Sequence, residues 1–147
     1  MTRHIILGNG ILTVLADSSY KMKELYYPLS KYNHLDTSRI GLYKNGEFRW
    51  LHDLNPKVEY LEDTLVSRVA ASFNNLELEI NDAVDLAYEI LVRRVKVKTD
   101  SEARIFFTWD FHIDESSIGD TCLFDPNEND LLEHGRIAKM ANFQGIL

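Results

Sequence analysis

Asp110 and His112 stand two residues apart in a run of alternating character, so on a strand both leave the same face. With Asp120, Asp125 or His134 they make a carboxylate–imidazole set of the kind that holds a divalent metal. The plainer reading is the solvated or domain-facing row of an amphipathic strand, and no metal or cofactor is expected. Glu77 and Glu79 also share a face, and Glu62 could meet Asp82 or Asp85 only if the fold joins them. Glycoside hydrolysis asks for two carboxyls at a set separation, one with a raised pKa. Glu77 and Glu79 lie on the polar side of a hairpin strand, where water keeps carboxyls near their ordinary values. Ser116 and Ser117 follow His112 too generically to mark a nucleophile. No G-x-S-x-G elbow, P-loop or G-x-G-x-x-G occurs, and Gly8-Asn9-Gly10 runs into Ile11-Leu12 as a hairpin turn does. No catalytic residue is expected in this chain.

Tyr26, Tyr27, Tyr32 and His34 crowd one segment with Pro28 and Asn33. Flat aromatic faces with amide and imidazole tips are what a sugar-binding surface uses. The competing reading is that Tyr26 or Tyr27 packs a core while its hydroxyl finds a carbonyl.

The 147 residues fit one domain, with 45% apolar and 27% charged side chains. Sixteen Lys and Arg against 23 Asp and Glu give a net charge of −7, with no basic block to grip a phosphate backbone, so no nucleic acid is expected. Cys122 is the single cysteine, which excludes an internal disulfide and a cysteine-rich zinc framework. Apolar runs fall far short of the roughly 20 residues of a membrane span, and the first ten residues lack a secretory leader's apolar stretch. A cytoplasmic protein without membrane contact is expected.

The elements that must position these residues read as strands. Residues 3–7 and 11–16 flank the Gly8–Gly10 turn, 20–27 end at Pro28, and 39–44 and 47–51 are joined by Asn45-Gly46, a strong hairpin signal. Residues 57–73 and 76–82 flank Asn74-Asn75. Residues 88–98 are β-branched but lose phase near Arg93-Arg94, where a bulge would restore it. In 104–113, Ile105, Phe107, Trp109, Phe111 and Ile113 point one way; Arg104, Phe106, Thr108, Asp110 and His112 point the other. The one stretch that can be written as a helix is 83–94. Many short strands between turns predict an all-β, antiparallel β-sandwich over 1–132, with an irregular or short helical tail over 133–147.

Together, Leu7-Gly8-Asn9-Gly10, Glu24-Leu25-Tyr26-Tyr27-Pro28, Asn33-His34, Arg39-Ile40-Gly41-Leu42 with Gly46 and Trp50, Asn81-Asp82-Ala83-Val84-Asp85, Asp110-Phe111-His112, Ile118-Gly119-Asp120-Thr121 and Phe124-Asp125-Pro126 occur in a telling order. In that order the chain resembles the N-terminal β-sandwich domain of the bacterial and archaeal branch of glycoside hydrolase family 15, which holds glucoamylases, glucodextranases and trehalases. The resemblance implies a large, supersandwich-like fold ahead of an (α/α)6 barrel whose two glutamates cleave α-glucosidic bonds with inversion. No position here matches those glutamates. It also implies a sandwich longer than this chain, so open edges and self-association into a homo-oligomer are expected. Tyr27, Asn33 and His34 are expected to face the barrel or its sugar, an α-glucan or disaccharide.

Three functions follow as expectations. The first is a non-catalytic accessory domain partnered by the barrel. The second is a stand-alone carbohydrate-binding module. The third is a small enzyme or metal protein built on Asp110, His112 and Asp120.

Overall fold

The computed structural model describes residues 4–28 and 33–111, and the backbone of the strands at 121–125, 130–134 and 139–142. Sheet A contains β1 (Ile5–Gly8), β2 (Thr13–Ala16), β3 (Met22–Tyr26), β4 (Leu35–Lys44), β5 (Glu47–Trp50) and β10 (Ala103–Phe111), in the order β1-β2-β3-β4-β10. β5 joins β4 on the side of β3: Gly41 faces Trp50 and Phe106, and Ser38 faces Met22 and Trp109. Sheet B is β6 (Lys57–Tyr60), β7 (Ser67–Phe73), β8 (Leu76–Val84) and β9 (Leu91–Thr99) in chain order. All pairs are antiparallel, and the two sheets form a sandwich-like arrangement. Strands β11 (Thr121–Asp125), β12 (Asp130–His134) and β13 (Lys139–Asn142) pair among themselves.

The period-two patterns place the core. Ile5 and Leu7, Val14, Met22, Ile40 and Leu42 from sheet A meet Val69, Leu76, Leu78 and Ile80 from sheet B, all almost fully buried. The turns carry their conformational signatures. Asn45 and Gly46 both have positive φ, as do Asn74 and Asn75, the geometry of two-residue hairpins that match strand twist.

Four readings change. The run 57–73 is two strands, parted by the turn at 61–66. The helical alternative at 83–94 is overturned: β8 continues through Val84 and β9 begins at Leu91. No bulge lies at Arg93-Arg94, because β8 and β9 stay in register from Leu76↔Thr99 to Val84↔Leu91. The phase breaks there because Arg93 itself takes an inward position between Leu91 and Val95. The tail stretch contains a strand, Lys139–Asn142, paired with β12, rather than a helix.

One lateral end of the sandwich is sewn shut. The Tyr60 hydroxyl of β6 donates to the Ile6 carbonyl at 2.9 Å and accepts from the Ile6 amide at 2.6 Å. The His4 ring stands 3.0 Å from the Val58 carbonyl beside it. Asn9 adds a clamp between the sheets. Its Nδ2 donates to the carbonyls of Asp85 and Tyr88 at 2.9 and 3.0 Å, and its Oδ1 accepts from the Ile11 and Leu12 amides at 3.0 Å. Asn9→Ala strands two amides and two carbonyls, so the urea midpoint should fall by the equivalent of about 2 kcal/mol with an unchanged m-value.

Candidate functional site

Asn33 and His34 form a support rather than an open pair of ligands. Asn33 bridges to Tyr26, its Oδ1 accepts from the Leu25 and Leu35 amides at 2.9 and 3.2 Å, and its Nδ2 donates to the Leu35 carbonyl at 3.1 Å. His34 is 1% exposed, and its Nε2 donates to the Tyr27 carbonyl at 2.5 Å. The outward orientation expected for His34 is therefore corrected: it faces inward. Asn33 is committed to backbone groups, because a chain leaving β3 at Pro28 must be tied back before β4 begins. Tyr27 is 40% exposed, next to a cis bond to Pro28. Tyr32 lies outside the described residues.

The paired glutamates carry ordinary surface chemistry. Glu79 bonds Arg68 at 2.9 Å and Lys96 at 3.0 Å, and Glu77 lies 3.5 Å from Lys98. Hydrogen bonds from Lys96 and Arg68 hold the Glu79 carboxyl below its ordinary value, the opposite of a general acid. These residues line an open depression of about 620 Å³ together with Ala70, Ala71 and Ser72. Asp85 caps the turn after β8 by accepting from the Ala87 and Tyr88 amides, and Asp82 is bound elsewhere, so neither set of bonds includes Glu62. Asp110 is exposed on the outer face of β10. His112, Ser116, Ser117 and Asp120 lie outside the described residues. Asp125 and His134 stand at opposite ends of the β11–β12 ladder, where the pairs are Asp125↔Asp130 and Thr121↔His134. Among the described residues no three metal-binding side chains gather.

Two clusters were not legible as sites. On the outer face of sheet A, Phe48 meets Trp50 edge-on at 4.9 Å and Phe106 at 5.9 Å, and Trp50 stacks on His52 at 6.0 Å. The Phe48 ring rests on Gly41, where a Cβ would stand 2.5 Å from its Cζ. Burial, with Lys21 close by, pushes the His52 imidazole below its ordinary value, so it stacks as a neutral ring. The pairing of aromatics across β4, β5 and β10 follows from register, which needs long-range strand order to be known.

The second cluster is polar and buried between the sheets. Arg93 grips Asp82 side-on, with Nε 2.9 Å from Oδ1 and Nη2 2.6 Å from Oδ2. The Tyr20 hydroxyl donates to Asp82 Oδ2 at 2.5 Å and lies 2.7 Å from Ser67 Oγ. Phe107 and Trp109 cover the guanidinium at 5.3 and 5.5 Å. Burial works against the charge on Arg93, but the bond to Asp82 outweighs it and raises the guanidinium pKa. Burial, then the Asp82 carboxylate, pushes the Tyr20 phenol well above its ordinary value. Asp82 is 0% exposed and its oxygens are occupied, so the cluster binds sheet to sheet and has no opening for a substrate. The sequence signal was Arg93 at an inward position of β9.

The all-β, sandwich-like fold agrees with what the chain is similar to. No family model matches it. An uncharacterized glycosyl hydrolase of Methanocaldococcus jannaschii is homologous, 27% identical over 140 residues, covering 91% of this chain. The fold matches a bacterial glucoamylase, solved in complex with acarbose, with a TM-score of 0.73 at 12% identity over 91% of this chain. The chain spans 22% of the length of each.

Asp82→Ala leaves Arg93 buried without its carboxylate and should cost about 3–5 kcal/mol. Replacing both partners with apolar residues of similar volume should recover most of that in chemical denaturation. A second expectation concerns pH. Burial raises the Asp17 carboxyl, but the Ser19 hydroxyl and the Lys21 and Ser19 amides outweigh it and hold it low; Lys44 and then Asn75 hold Asp100 low. Lowered folded values mean stability that is present above the unfolded carboxylate range, about pH 4, and lost as pH falls through it. Melting temperatures should hold above about pH 5 and drop below about pH 4, and Asp17→Asn should flatten that slope while keeping the turn.

Proposed function

We propose that this chain is the non-catalytic N-terminal β-sandwich of a family 15 glycosidase, leaning against an (α/α)6 barrel that hydrolyses α-glucosidic bonds of glucans or trehalose. The observation that carries the reading is the partial match: the fold follows a bacterial glucoamylase over 91% of this chain but 22% of that one. The likeness to a glycosyl hydrolase has the same proportions. Among the described residues, the carboxyls whose values the fold moves, Asp17, Glu79 and Asp100, are all held low, the opposite of what a glycosidic acid needs. Tyr27, propped on the buried His34 and on Asn33, is the side chain we assign to the barrel or its sugar; His34 and Asn33 are its supports. The setting we assign is the cytoplasm.

The second reading, a carbohydrate-binding module, is favored by one observation, the exposed rings of Tyr43, Phe48 and Phe106 around Trp50 on sheet A.

The purified chain should not hydrolyse maltose, maltooligosaccharides or trehalose, and hydrolysis by rigorously clean material would overturn the proposal. Calorimetric titration with maltooligosaccharides should show no saturable heat, whereas the module reading requires millimolar binding, about −4 kcal/mol. A separately expressed family 15 barrel should co-purify with the chain, and Tyr27→Ala should weaken that capture.

A further inference from the structure

The two lateral ends of the sandwich differ. At one end β1 and β6 are stitched together through Tyr60. At the other, β10 of sheet A and β9 of sheet B are both edge strands among the described residues. Phe106 and Phe107 of β10 are 43% and 39% exposed there. An edge with a free backbone row and exposed rings asks for a partner strand.

The geometry points to a second copy of this chain, paired antiparallel through β10 about a two-fold axis at Phe107. The argument is charge complementarity in register. A two-fold axis normal to the sheet keeps the inner face of one copy continuous with that of the other, which restricts the axis to a residue rather than a midpoint between residues. With the axis at Phe107, Arg104 stands opposite Asp110 of the second copy, and Asp110 opposite its Arg104. On the outer face Phe106 meets Thr108; on the inner face Ile105 meets Trp109 and Phe107 meets itself. Moving the axis to Phe106 sets Asp110 against Glu102, a like charge, and moving it to Thr108 sets Asp110 against Phe106. Phe107 is the middle residue of Ala103–Phe111, so this register also uses the most strand.

The neighboring edge is built to refuse the same pairing. Two-fold pairing of β9 about Val95 sets Arg94 against Lys96 twice, and moving the axis by one residue sets Arg94 against Lys98 or against the Arg94 of the second copy. Lys96 and Lys98 are engaged instead with Glu79 and Glu77 on β8. Cations along an edge discourage strand addition. The guanidinium of Arg93 beneath Phe107 and Trp109 holds the two rings of β10 in place at the edge. The copy seated on β10 would extend sheet A across both molecules.

Sedimentation equilibrium of the 147-residue chain at up to about 100 μM tests this. A dimer is expected. Arg104→Asp alone, or Asp110→Arg alone, places like charges opposite each other at two symmetric positions and should weaken the dimer at least about tenfold. The double variant R104D/D110R restores opposite charges and should bring the constant back near the starting value. Both residues are exposed, and unchanged melting of the monomer certifies the fold. Phe107→Cys in a Cys122→Ser background should cross-link under mild oxidation, because facing residues of an antiparallel pair stand about 4.5–5.5 Å apart, within disulfide reach. A monomer throughout the concentration range overturns the proposal. So does a dimer indifferent to the single swaps, or a monomer whose β10 amides are protected from exchange, which would give the edge to residues after Phe111.

Discussion

The structure depends on a charge that has been taken out of water and matched. Asp82 on β8 and Arg93 on β9 are neighbors across one pair of strands, Asp82↔Arg93, so the grip itself is local to sheet B. What makes it a tertiary device is the third member. Tyr20, in the turn between β2 and β3, reaches from sheet A to the same carboxylate. A buried ion pair is weak evidence of added stability, since a well-packed apolar replacement often does as well. Its usual return is specificity: a sheet slid by one residue would bring Asp82 and Arg93 to the outer face and leave Tyr20 without an acceptor. The pair therefore marks one stacking of the sheets among those that the apolar pattern alone would allow.

That stacking explains the asymmetry between the ends. Near β1 the inward side chains Ile5 and Leu7 are 1% exposed, whereas at β10 Phe107 is still 39% exposed. Burial fades along the sandwich from the edge sewn by Tyr60 toward the edge at β10. Arg93 sits where the fading begins, and its guanidinium lies against the rings of Phe107 and Trp109. Lys44 does comparable work nearby: its stem is buried while its ammonium reaches Asp100 in the turn between β9 and β10.

How much of this could be read from residues alone follows from the range of each signal. Asn45-Gly46 and Asn74-Asn75 are local, because a two-residue turn needs positive φ and these residue types tolerate it, so both hairpins were legible. The alternation from Arg104 to Asp110 was legible for the same reason. The split of 57–73 was not, because Leu61 and Val66 flank the turn with apolar residues and carry no Gly or Pro. Arg93 was misread as a bulge because periodicity counts an inward arginine as an error of phase, and only the Asp82 across the ladder makes it correct. His34 was misread for a related reason. An imidazole among tyrosines suggests a binding surface, but its ring is spent on the Tyr27 carbonyl and holds a backbone in place.

The same distinction between placed and available groups bears on chemistry. A glycosidic acid must keep its proton near neutral pH, which requires burial or a like charge with little cationic help. Three of the described carboxylates have that cationic help: Glu79 lies between Arg68 and Lys96, Asp100 receives Lys44, and the buried Asp82 is gripped by Arg93. Hydrogen bonds from their cations hold Glu79 and Asp100 below the ordinary carboxylate range, and strand register fixes where those cations stand. Such pairs are good at aligning sheets and poor at donating protons.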